Sequence, residues 1–201
     1  MNQEFFDEKF IHLINKHEQL EESIERFNAK VSNDINNGYI MIDGYKIDFS
    51  DRIIEDCFFI KMPNDFKRME DLYARLKYPN YNKKEKIIYT NERTTINLLF
   101  DIRNYNMAQD ETERARDQML EVILKFQPQA ILMNKEKIDF KDGYAECFEL
   151  ITPALDSKIY NLVFVFEIYG KLMMGTFNCL ETEMHNWVDI AHQMVASIQK
   201  T

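Results

Sequence analysis

Residues 159–198 decide the fold. They read IYNLVFVFEI (Ile159–Ile168), then Tyr169-Gly170-Lys171, then LMMGTF (Leu172–Phe177), a polar break, and finally WVDIAHQMVASI (Trp187–Ile198). The first run is rich in β-branched and aromatic residues, and Gly170 supplies the positive φ that a tight hairpin needs. Two antiparallel strands are therefore expected. In the last run Trp187, Ile190, Ala191, Met194, Val195 and Ile198 recur at spacings of three and four, which makes one apolar face of a helix. That face must be buried, and the preceding hairpin is the nearest apolar sheet.

The rest of the chain extends this pattern. Upstream, Tyr39–Ile42, Asp43-Gly44 and Tyr45–Phe49 read as a hairpin around an Asp-Gly turn. Cys57–Lys61 reads as a short strand closed by Met62-Pro63, Asp65–Arg68 as a turn, and Met69–Leu76 as a short helix stopped before Pro79. Lys86–Tyr89 and Thr94–Ile102 are strands joined by a turn at 91–93. Asp110-x-x-Glu113 has the form of a capping box and opens a helix to Phe126, with Met119, Leu120, Ile123 and Leu124 facing inward. Ala130–Phe140 and Tyr144–Thr152 are two more strands, around Asp142-Gly143. No segment alternates strand and helix in the manner of a parallel sheet. The expectation is a run of antiparallel strands interrupted by a middle helix and closed by a C-terminal helix, an α+β class.

Residues 3 to about 35 differ from the remainder. Phe6, Phe10, Leu13, His17, Leu20, Ile24, Phe27 and Val31 alternate spacings of four and three, a heptad seam with one polar member, between charged residues. At ~1.5 Å per residue such a helix is about 45 Å long, and its narrow stripe cannot bury itself. It lies across its own domain or pairs with another helix, including its copy in a second subunit. The expected organisation is this helix over residues 1–37 and a single sandwich domain over 38–201.

Composition bounds the function. The chain has 201 residues, 45% of them hydrophobic, with a formal charge of −9 and only five Gly and four Pro. That charge argues against a nucleic-acid surface, which needs a basic patch. The N-terminus has no basic region leading into an apolar core, and no apolar run approaches the ~20 residues that cross a bilayer, so a cytoplasmic protein is expected. Three cysteines, Cys57, Cys147 and Cys179, sit in apolar stretches and read as reduced core thiols.

Chemistry is hard to find. Neither His12 and His17 nor His185 and His192 has the i, i+4 spacing of a helical zinc site, and His192 should be exposed. Glu146 and Glu149 alternate with Cys147 and Leu150 and read as a solvent-facing edge. Cys179, six residues before His185 at a strand-to-helix junction, could form a nucleophilic pair only with a third group that the sequence does not supply. No metal, cofactor or catalytic residue is expected. The 162–169 strand is apolar on both faces: Leu162, Phe164, Phe166 and Ile168 on one, Val163, Val165 and Tyr169 on the other. Either helices of the protein cover both, or one face receives a partner.

From about residue 55 onward the order of elements resembles the Mog1/PsbP/DcrB-like superfamily. The resemblance rests on Phe58-Phe59-Ile60-Lys61-Met62-Pro63-x-x-Phe66, the Ile96–Ile102 strand, Phe164–Ile168 with Gly170-Lys171, Thr176-Phe177, and Trp187 followed by Ser197-Ile198. It implies an α/β/α sandwich with a central antiparallel sheet. It also implies a binding or assembly protein, since members include bacterial chaperones that shield apolar helices of other proteins. No functional residue carries over, and the N-terminal helix and the first hairpin fall outside the match. The leading expectation is a non-enzymatic, chaperone-like bacterial protein that binds another protein or a second copy of itself. Its expected contacts are Phe6, Phe10, Leu13, Leu20, Ile24 and Phe27 on the helix and Val163, Val165 and Tyr169 on the sheet. A small-ligand binder or a hydrolase with a closed pocket around Cys179 and His185 is the alternative.

Overall fold

The structure is a computed structural model that describes residues 33–78, 82 and 85–201. The heptad pattern up to residue 32 lies outside the described residues. At its expected end, Asn33 and Asp34 are not helical, and Ile35–Asn37 form a single 3-10 turn stopped by Gly38 at φ 82°. The turn is fastened to the C-terminal helix, because the Ile35 N–H donates to Gln193 Oε1 at 3.0 Å.

Eleven strands among the described residues form two antiparallel sheets, where the family resemblance implied one central sheet. The smaller contains β1 (Tyr39–Ile42), β2 (Tyr45–Ile54), β3 (Phe58–Pro63) and β11 (Gln199–Lys200), in that order. The larger contains β4 (Lys67–Arg68), β5 (Lys86–Thr90), β6 (Asn97–Asn106), β7 (Ile131–Phe140), β8 (Gly143–Pro153), β9 (Lys158–Ile168) and β10 (Lys171–Leu180). Its spatial order is β4-β5-β6-β10-β9-β8-β7. Residues 65–68, expected as a turn, thus supply an edge strand. The α-helices among the described residues are α1 (Asp71–Lys77), α2 (Thr112–Phe126) and α3 (Met184–Ala196).

The hairpin that anchors the argument forms as its residues dictate. Ile168 pairs with Lys171 across Tyr169-Gly170, and both turn residues take positive φ, 53° and 75°. That is the twist a two-residue hairpin loop requires. Asp43-Gly44 does the same between β1 and β2, at 50° and 79°. The third turn differs from expectation: Phe140 pairs with Gly143, so Lys141-Asp142 make the turn and Gly143 begins β8.

Alternation along β8, β9 and β10 divides the large sheet into two faces. The inner face carries Ala145, Cys147, Leu162, Phe164, Phe166, Met173 and Phe177, all buried. Against it pack the small sheet and α3. Phe58 meets Phe100 and Phe166 edge-on at 5.4 and 5.3 Å, and Trp187 of α3 stacks on Phe177 and Phe66. The predicted α3 face (Trp187, Ile190, Ala191, Met194, Val195) is wholly buried. Gly175 is required here. A Cβ at this position would lie 2.0 Å from the Phe164 ring of the neighbouring strand.

α1 and α2 cover part of the outer face. Under α1, Met69, Ala74 and Ile88 form a small cluster. A row of buried polar side chains crosses three strands beside it. The Thr90 hydroxyl donates to Asn97 Oδ1 at 2.8 Å, and the Asn97 amide donates to Asn178 Oδ1 at 2.8 Å. A one-residue slip of β6 against β10 would leave these groups unpaired, so the row fixes register. Under α2, Leu120 packs on Phe148, Leu150 and Val163. Arg116 enters the same layer, 7% exposed, and donates from Nη1 to Glu146 of β8, which is 4% exposed. The start of α2 is not the expected capping box. A 3-10 turn at Gln109–Glu111 precedes the helix, and the Glu111 carboxylate accepts from the Ala108 N–H at 2.8 Å.

Candidate functional site

Val163 and Val165 lie on the outer face, as their alternation requires, but neither is open to a partner. They are 5% and 0% exposed, and Val163 is covered by α2. This is the case in which the protein's own helix covers the strand. Tyr169 is 55% exposed, at the tip of the β9–β10 turn, and its hydroxyl donates to the Thr201 carbonyl at 2.7 Å. It is not part of a face with the two valines. Phe6, Phe10, Leu13, Leu20, Ile24 and Phe27 lie outside the described residues.

The open part of that sheet face lies one strand over. Val163 pairs with Thr176 and Val165 with Met174, so β10 presents Leu172, Met174 and Thr176 on the outer side, each half-buried. α2 flanks this floor with Ala115 and Met119, and Val122 and Phe126 continue the same side of the helix at spacings of three and four. Val122 is 54% exposed and Phe126 79%. The groove between them has a volume of about 440 Å³ and is lined by Tyr105, Met107, Ala115, Met119, Leu172 and Met174, with Glu111, Arg114 and Gln118 at its rim. Three of the apolar lining residues are methionines, whose unbranched, polarizable side chains adapt to varied apolar shapes. The sequence reading assigned α2 a single inward face and missed this stripe. The available signal was an apolar arc on α2 too wide for one strand pair to cover.

The candidate nucleophile does not form. Cys179 is fully buried on the inner face, and burial, with Glu183 nearby, pushes its thiol up to about 12. His185 is exposed in the first turn of α3. A buried thiol held protonated is inert.

A polar cluster that the sequence reading missed lies between α3 and the β7 edge. His192 faces Glu136 of β7 and Glu149 of β8, with Nε2 at 3.1 Å from Glu136 Oε1 and 3.4 Å from Glu149 Oε1. The three ligand-type atoms lie within 4.8 Å of one another. Nε2 is shielded from solvent, yet neither contact has hydrogen-bond geometry. The Tyr160 hydroxyl donates to Glu149 Oε2 at 2.8 Å, and the Asn134 amide reaches both carboxylates at 3.3 Å. Burial pushes the Glu136 carboxyl up, against the pull of His192. Glu146 and Glu149, expected on one solvent-facing edge, are both buried on opposite faces, each with its own partner.

No family model matches the chain, and no curated protein matches it by sequence. Its fold is similar to that of the cyanobacterial PsbP protein (CyanoP) of Synechocystis sp. PCC 6803, with a TM-score of 0.56 and 14% identity. That match covers 76% of this chain and 92% of the other. A Mycobacterium tuberculosis protein, LpqN, described as involved in cell envelope biogenesis, matches at TM-score 0.43 and 10% identity over 72% of this chain and 83% of its own. A Bacteroides thetaiotaomicron protein matches at 0.44 and 13%, over 72% and 45%. Of these three scores only the first speaks to topology, and it shows a PsbP-like fold. Among the described residues no helix is long and apolar enough to cross a membrane.

Proposed function

We propose that this PsbP-like chain is a non-enzymatic accessory protein that binds an apolar helical segment of another polypeptide. The docking site is the groove between α2 and β10. The observation that carries this reading is the open groove in which Ala115 and Met119 of α2 face Leu172 and Met174 of β10, with the exposed Val122 and Phe126 continuing the same side of the helix. A helix with apolar residues at spacings of three and four fits such a floor and wall, gaining ~25 cal/mol per Å² of apolar surface buried. The rim charges Glu111 and Arg114 suit a segment that is polar on its other side. The heptad seam of residues 6–31 has this same spacing, so a second copy of the chain is one partner of the right chemistry.

The experiment places a photo-crosslinking benzoylphenylalanine at Phe126 or at Leu172, and as a control at Leu155, which is 98% exposed on a loop. Irradiation in the native host should give one dominant intermolecular adduct from 126 and 172, lost when Met174→Asp is added. Adducts no stronger than those from 155 overturn the proposal. So does a crosslink to residues 3–35 of the same molecule, which would mean that the groove is filled from within.

A further inference from the structure

We infer that Glu136, Glu149 and His192 form a binding site for one divalent cation of the zinc type. The site lies on the inner face of the large sheet, separate from the α2–β10 groove. Its donor set is one imidazole nitrogen and two carboxylates, a mixture that suits Zn²⁺, and with a neutral imidazole its charge is matched by a dication. Zinc–ligand bonds of about 2.0–2.2 Å place tetrahedral ligand atoms roughly 3.3–3.6 Å apart. The observed separations from Nε2 of 3.1 and 3.4 Å lie close to that range. Were the cluster only a histidine between two acids, an N–H should point along one of these contacts. Instead Nε2 is shielded from solvent and makes no hydrogen bond, although both carboxylates lie within ion-pair distance of it.

The surroundings hold the donors in place. Tyr160, fully buried, donates to the second oxygen of Glu149, and Asn134 bridges the two carboxylates. Such outer hydrogen bonds orient metal-binding carboxylates. Glu149 forms the floor at 7% side-chain exposure, whereas His192 and Glu136 are 26% and 33% exposed, so the cation has a way in and water can fill a fourth position. The β7–β8 hairpin and α3, distant in the chain, meet at this point, and a bound ion would tie α3 to the open edge of the sheet.

The test is equilibrium dialysis of the whole chain against ZnCl₂, with Co²⁺ substitution to read coordination from its visible spectrum. One ion per chain is expected, with the intense absorption of a tetrahedral site. Glu136→Gln and His192→Gln, both at partly exposed positions, should each weaken binding at least tenfold while leaving the metal-free melting temperature within a few degrees. His185→Gln, on the exposed first turn, should change nothing. Unaltered zinc affinity in both variants would place the metal elsewhere and overturn the assignment. So would the absence of stoichiometric binding to the wild-type chain.

Discussion

Gly175→Ala tests the packing that sets the spacing of the large sheet. The added methyl would lie 2.0, 2.1 and 2.7 Å from three atoms of the Phe164 ring. Carbon atoms pack at about 3.5–4.0 Å, so the ring must retreat by roughly 1.5 Å. It has little room. Phe164 is fully buried, stacks on Phe166 at 5.9 Å and meets Phe100 edge-on at 6.2 Å. Overpacking costs ~1–3 kcal/mol, and an immobile aromatic wall puts this case near ~3 kcal/mol, a fall of about 6–12 °C in melting temperature for a chain of this size. Phe164→Ala alone leaves a cavity and should cost ~3–5 kcal/mol. In the double variant the methyl occupies part of that cavity, so the total should be no larger than for Phe164→Ala alone. The coupling would be about 3 kcal/mol in urea unfolding. A Gly175→Ala protein as stable as wild type, or strictly additive costs, would refute the close approach of Phe164 to Gly175.

Three further outcomes are expected. Arg116→Met leaves Glu146 buried without its main cation, with only Lys137 Nζ at 3.8 Å, and should cost ~3–5 kcal/mol in urea unfolding. Arg116→Met with Glu146→Leu should recover most of it, and a double variant no better than the single would show that the pair is not the reason. Because the folded Cys179 thiol is pushed up to about 12, the unfolded chain loses a proton above its ordinary ~8.5 that the folded chain keeps, so stability falls as pH rises through that window. Between pH 8 and 10 the wild type should lose about 2 kcal/mol more than Cys179→Ala, and equal slopes would show that the thiol ionises freely in the fold. Met174→Asp should leave the melting temperature within a few degrees while abolishing the crosslink from Phe126, because Met174 is half-buried at the groove and not in the core.

The hairpins, the α3 face and the alternation of β9 were legible because each rests on local rules. A turn needs positive φ, an amphipathic helix needs one buried side, and a strand shows two faces. That β1, β2 and β3 form a separate sheet was not legible, since β2 runs on past its expected end at Phe49 through Ser50-Asp51-Arg52, and β11 is only two residues long. Their strand state comes from pairing with β3, a tertiary effect that outweighs propensity. The covering of Val163 was the alternative the sequence left open, and only the placement of α2 decided it. The His192 cluster joins Glu136 and Glu149 of one hairpin to His192 of α3, and no spacing rule places a distant helix over a given pair of strand positions. Its one trace was a pair of carboxylates at inward strand positions, which alternation alone cannot tell from a wetted edge.

The ladder between β6 and β10 has a consequence for how the molecule assembles. Strands β7 to β10 follow one another as a meander that local contacts can build, whereas β6 must find β10 from far along the chain, with Asn97 meeting Asn178 81 positions on. Pairings of such long range come late and slowly in folding. In native-state hydrogen exchange the amides along this junction should therefore open as a unit, making it the line along which the molecule first parts into two halves.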